Sequence, residues 1–156
     1  MSAPAVLDHA GIAARIPHHG RMCLLDRLVE WSPLRIECRA RNQRDADHPL
    51  RSASGLLAPC AIEYAAQAMA LHGGLLAPPA AGARPGYLAS VRGVRLAVAR
   101  LDDIDGELLV RAERLAGDAN QVLYGFVVAD ERGRTLVEGR ATVVLNTPLP
   151  LEAVAP

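Results

Sequence analysis

Glu63 lies inside a run, residues 56–77, whose other strongly polar side chains are only Gln67 and His72. A lone carboxylate in an apolar helix loses hydration worth several kcal/mol unless it finds a partner or binds a proton. It is therefore a candidate acid or base, and the competing reading is a satisfied core Glu bonded to backbone or to an Arg. Gln67, one helical turn further on, shares its face and can hydrogen-bond the carboxyl or a substrate hydroxyl; equally it could be a polar cap on a helix interface. His72 follows Glu63 by nine residues, which at ~100° per residue turns it to the opposite face. The remaining histidines are His9, His18, His19 and His48. Cys60, near the start of the run, is either a thiol of lowered pKa or a small apolar filler. Tyr64 and Trp31 read as core or interface.

Several classes of chemistry are excluded by what the chain lacks or scatters. All 17 basic residues are Arg, so no Schiff-base lysine exists. They are dispersed and aromatics make up 3% of the chain, which argues against a nucleic-acid groove with stacking platforms. Cys23, Cys38 and Cys60 are odd in number and contain no C-x-x-C pair, so neither a disulfide framework nor a metal site is expected. The N-terminus shows no signal-peptide pattern, and a reducing cytoplasm is the expected location. Pro59, Gly73, Gly74 and the polar groups make the apolar run a poor membrane span.

The elements that must position these groups follow from length and period. A chain of 156 residues, 51% hydrophobic, suits one domain with one core. Asp8 can cap a short helix over 10–16, stopped by Pro17. Residues 22–31 and 34–40 read as strands, 42–54 as a polar loop, and Pro59 opens a long helix that ends at Gly73 or Gly74. After a Pro/Ala/Gly loop over 77–85, the period becomes two, with Val94, Leu96 and Val98 on one face. Strands are expected over 107–116, 121–129 and 134–146, joined by hairpin-length turns into a four-strand antiparallel meander. A single domain over 1–146 is predicted, with a disordered Pro-rich tail over 147–156. The fold class is α+β, a six-strand antiparallel sheet wrapped around one long central helix.

Two segments carry a family resemblance. Residues 17–28, Pro-His-His-Gly-Arg-Met-Cys-Leu-Leu-Asp-Arg-Leu, resemble the N-terminal motif of β-hydroxyacyl-acyl-carrier-protein dehydratases, Pro-His-Arg-Tyr-Pro-Phe-Leu-Leu-Val-Asp-Arg-Val. Glu63-Tyr64-Ala65-Ala66-Gln67-Ala68 resembles that family's helix motif Glu-Ala-x-Ala-Gln-Ala. Residues 62–70, together with 84–90, are similar to the divergent dehydratases of aryl-polyene-type pathways. The resemblance implies a hot-dog fold with paired protomers, a homodimer or a heteromer with another hot-dog protein. It also implies, as substrate partner, an acyl carrier protein bearing a phosphopantetheine-linked acyl chain.

Dehydrating a 3-hydroxyacyl thioester takes a base for the C2 proton, an acid for the departing hydroxyl and hydrogen-bond donors for the thioester oxygen. Glu63 suits the acid. Free N–H groups at the helix start, around Cys60 and Ala61, are expected as the donors. His48 sits close to the spacing of the family's catalytic His, although its context Asp47-His48-Pro49-Leu50-Arg51 departs from Gly-His-Phe-Pro-Gly. His18, with His19 beside it, is the other candidate base, and His9 reads as a surface residue. No cofactor, metal or nucleotide is required. Two other functions remain open: a hot-dog thioesterase using Glu63 to activate water, and a non-catalytic acyl-binding or pairing subunit.

Overall fold

The computed structural model describes residues 6–77 and 86–145. A short helix α1 (His9–Ala13) opens them, its first turn capped by the Asp8 carboxylate accepting from the Gly11 N–H. It is shorter than the 10–16 expected. The chain then turns at Gly20, whose left-handed φ of 58° has open space around it, into a 3-10 turn over Gly20–Met22. The first strand is likewise shorter than the sequence period implied, because β1 (Arg27–Ser32) begins only after that turn and an irregular stretch. It pairs with β2 (Arg35–Ala40) in a hairpin.

The long helix α2 (Ala61–Leu76) has 16 residues, about 24 Å of axis. It is preceded by a 3-10 turn over Ala58–Cys60 that places Pro59 where a missing N–H costs nothing. The loop before it is fixed by Asp102, whose carboxylate accepts from the Leu56 N–H and from Arg100. Gly55 has a φ of 98°, and a Cβ there would run into the Arg100 guanidinium and lie 2.7 Å from Asp102 Oδ2. Only glycine fits that close approach without moving the clamp.

Strands β3 (Gly86–Leu96), β4 (Leu108–Gly117), β5 (Gln121–Ala129) and β6 (Thr135–Leu145) complete one six-stranded sheet in the order β1-β2-β4-β5-β6-β3, with every pairing antiparallel. The expected sequential meander holds for β4, β5 and β6 but not for β3, which lies at the far edge against β6. The cause is the connection over 97–107. It is too long for a hairpin and runs past the start of α2, where Leu101 N–H donates to Leu56 O at 2.7 Å. Residues 78–85 and the 147–156 tail lie outside the described residues.

Alternation puts Val122, Tyr124, Phe126 and Val128 of β5, Leu108, Val110 and Ala112 of β4, and Ile36, Cys38 and Ala40 of β2 into the core. There α2 packs across these three strands. Each large apolar side chain so buried contributes about 1.5–3 kcal/mol. The opposite sheet face carries charges such as Arg35, Arg111 and Glu113. This is an α+β sheet around one helix. Among the described residues no helix is long and apolar enough to cross a membrane.

His72 is fully buried on the core side of α2, as its spacing from Glu63 required. Its Nε2 donates to Ser32 O at 2.7 Å, so Nδ1 must accept from the Tyr124 hydroxyl, also at 2.7 Å. That is a satisfied neutral imidazole. Burial, with Arg114 adding to it against the Ser32 bond, lowers its pKa from 6.5. His48 is lowered too, first by burial. On acidification the unfolded chain binds these protons before the folded one does. The associated stability is therefore complete above about pH 6.5 and declines as pH falls below it. Thermal unfolding between about pH 8 and about pH 5 should show Tm level at first and then dropping; a Tm that stays level to the acid end would remove this linkage.

Candidate active site

Glu63 does not point into the core. Its side chain is 34% exposed, because the turn from Ile62 through Ala66 to Ala70 faces a side of the helix that the sheet leaves partly open. An apolar sequence led to the expectation of a helix buried all round. What the structure has instead is a helix with one face of small residues and a carboxylate at its head.

Against that carboxylate stands His18, with Nε2 3.0 Å from Glu63 Oε1 and a side chain 28% exposed. Gln67, fully buried, makes three further bonds. Its amide N–H groups reach Met22 O at 2.7 Å and Glu63 Oε1 at 3.0 Å, while its oxygen accepts from the Leu24 N–H at 2.8 Å. Gln67 thus ties the segment that carries His18 to the helix that carries Glu63. His9 adds a brace from α1, its Nε2 lying 3.0 Å from Cys23 O. Two proton-handling atoms have no partner among the described residues: Glu63 Oε2 and His18 Nδ1, the latter a buried atom.

The other sequence candidates are placed elsewhere. His48 is 5% exposed and does not bond Glu63. Its Nδ1 accepts from the Leu50 N–H at 3.0 Å, which leaves the proton on Nε2 for the Tyr64 hydroxyl at 2.8 Å. His19 is exposed beside the pair. The expected free donors at the helix start are not free. Cys60 N–H is bonded to Leu57 O, and Ala61 N–H to Ala58 O and Pro59 O, because the 3-10 turn consumes them. Burial raises the pKa of the Cys60 thiol, against a lowering backbone bond from Leu57, the opposite of the shift an activated thiol needs. No metal-ligating cluster occurs among the described residues. In the sequence Asn42 is one polar residue among many in a loop and Tyr64 reads as core; the phenol of Tyr64 in an apolar helix was the available signal.

Comparison with known proteins gives the arrangement a lineage. A family model for ApeP dehydratases matches residues 10–153. The chain belongs to the ApeP-like dehydratase family. Its activity class is that of a dehydratase. Among solved structures, this ApeP-like chain is similar to the dehydratase heterocomplex ApeI:P from Xenorhabdus doucetiae, at 24% identity over 92% of this chain and 94% of that one, with a TM-score of 0.74. It also resembles thioesterases from Staphylococcus aureus, at 11% identity over 77% and 92% with a TM-score of 0.60, and from Haemophilus influenzae, at 13% over 76% and 76% with a TM-score of 0.57. At such identities these structures establish the hot-dog fold. A comparison with curated protein sequences finds no match.

Proposed function

We propose that the protein dehydrates a 3-hydroxyacyl thioester, held on the phosphopantetheine arm of an acyl carrier protein, to the trans-2-enoyl thioester. The observation that carries this reading is the 3.0 Å contact between His18 and Glu63. His18 takes the proton from C2. The electrons of that C–H bond form the C2=C3 double bond as the C3–O bond breaks. Glu63 gives a proton to the departing oxygen, which leaves as water. The proton gained by His18 then returns to Glu63 across the contact, so the pair is reset without outside help. Acid and base catalysis by such groups each contribute ~10² to 10⁴ in rate.

This assignment favours His18 over His48 as the base, since His18 faces the Glu63 carboxylate whereas both ring nitrogens of His48 are bonded elsewhere, to Tyr64 and Leu50. Incubating the purified protein with 3-hydroxyacyl and with enoyl carrier-protein thioesters tests the function directly. Interconversion of the two is expected. Release of free thiol with no interconversion would instead make the protein a thioesterase, and silence on both would make it a binding or pairing subunit.

Assembly is part of the same reading. Edge strand β3 exposes Leu88, Val94 and Leu96, and an open edge with apolar side chains is normally covered. The Xenorhabdus doucetiae relative is a heterocomplex, and we take a second hot-dog chain as the partner here. Light scattering of the protein alone at micromolar concentration is expected to give a monomer or an unstable oligomer that becomes a defined heteromer on adding that chain. A stable homodimer indifferent to the partner would overturn this.

The substrate expectation rests on Ala66, Ala70 and Gly73, which run down the helix from Glu63 with side chains too small to block an acyl chain. On β3, Arg92 and Arg95 are exposed and unpaired by any ion pair among the described residues; Arg84 lies outside them. A long unsaturated acyl group on an acidic carrier protein should have a higher kcat/KM than a short saturated one on coenzyme A. The advantage should shrink as salt screens the arginines. Equal kcat/KM for both, at any salt, would remove the channel and the docking together.

A further inference from the structure

We infer that the Tyr64 hydroxyl, with His48 and Asn42, is a positioning device for the Glu63–His18 pair, acting through Leu24; the inference rests on the dehydratase reading of that pair. His48 Nε2 donates to Tyr64 Oη at 2.8 Å, and Tyr64 Oη donates to Asn42 Oδ1 at 2.6 Å. Asn42 Nδ2 donates to Leu24 O at 3.3 Å. The N–H of the same residue is held by Gln67 Oε1 at 2.8 Å, and Gln67 Nε2 reaches Glu63 Oε1 at 3.0 Å. Leu24 is thus gripped from both sides, by the helix through Gln67 and by the loop after β2 through Asn42. The segment it ends carries His18.

The direction of every bond in this chain is determined. Leu50 N–H donates to His48 Nδ1, so the imidazole proton sits on Nε2 and the phenol must pass its own proton toward Asn42, whose Nδ2 is then turned to Leu24. A backbone N–H and a backbone C=O of Leu24 interrupt the series, and neither relays a proton under ordinary conditions. The chain therefore fixes geometry and does not feed protons to Glu63. Misplacing reacting groups by about 1 Å can lower turnover by about 10²-fold, so loosening Leu24 should be felt at His18 while substrate binding is unchanged.

Tyr124 supplies a matched control. Its hydroxyl donates to the buried His72 at 2.7 Å, a phenol–imidazole bond of the opposite direction on the other side of α2, and it has no hydrogen bond toward Leu24. The test compares Tyr64→Phe, Asn42→Ala and Tyr124→Phe in the assembled enzyme, well below Tm. Tyr64→Phe and Asn42→Ala should each lower kcat about tenfold or more with KM within about twofold, whereas Tyr124→Phe should lower Tm comparably and keep kcat. A Tyr64→Phe enzyme with wild-type kcat, or a Tyr124→Phe enzyme equally slowed, overturns the inference. Should the wild-type protein itself lack dehydration and hydration activity, the functional reading fails separately. The positioning claim is then decided by the imidazole ¹H–¹⁵N resonances of His18. They should move in Tyr64→Phe and not in Tyr124→Phe, and unmoved His18 resonances in Tyr64→Phe overturn it.

Discussion

Replacing Glu63 with Gln is expected to lower turnover by ~10² to 10⁴ while leaving Tm about unchanged. The amide is nearly isosteric with the carboxylate. Its oxygen can still accept from Gln67, whose other bonds to Met22 and Leu24 do not involve Glu63. The side chain is also one-third exposed, so little burial energy depends on its charge. In the proposed mechanism the variant loses the ability to give a proton to the departing hydroxyl. The kinetic signature should be a fall in kcat and kcat/KM together, because the interaction lost belongs to the transition state. Measured Tm and rate for the pair of proteins check both halves, and full activity in Glu63→Gln would remove the carboxylate from the mechanism.

His18→Ala is the second large effect. In the proposed mechanism the ring accepts the C2 proton, and ~10² or more in rate should go with its removal. The Gly20 turn and the Gln67 clamp do not require the imidazole, so the fold should persist with a modest loss of Tm. His48→Ala offers the informative comparison. It should slow the enzyme less and destabilise it more, since it leaves the Tyr64 hydroxyl without its donor inside a buried network. If His48→Ala were the slower of the two at equal folded fraction, the base would be His48 and the observed contact between His18 and Glu63 would be a structural one.

The pairing of Glu63 with Gln67 was legible in the chain because it is local. A carboxylate in an otherwise apolar 16-residue helix, with an amide one turn away, is a statement about spacing on a single element, and helix geometry alone puts Glu63 and Gln67 on one face. The same arithmetic correctly turned His72 toward the core. Strand periods and hairpin turns made β4, β5 and β6 legible for the same reason: each pair is closed by a short turn between strands adjacent in sequence.

The histidine beside Glu63 and the surroundings of that carboxylate were decided only by tertiary structure. His48 and His18 both lie at distances along the chain that spacing cannot convert into contact. Gln67 grips Met22 and Leu24 and so brings the His18 segment to Glu63, while Leu50 and Tyr64 occupy both ring nitrogens of His48. The exposure of Glu63 was likewise hidden. A run of Ala and Gly reads as apolar whether it faces a sheet or an open groove, because hydropathy records the residue and not its neighbour. The far-edge position of β3 follows from the same limit. The connection that leaves it for β4 is held by the Asp102 clamp near the start of α2, and its pairing with β6 is a long-range closure that leaves no period in the sequence to read.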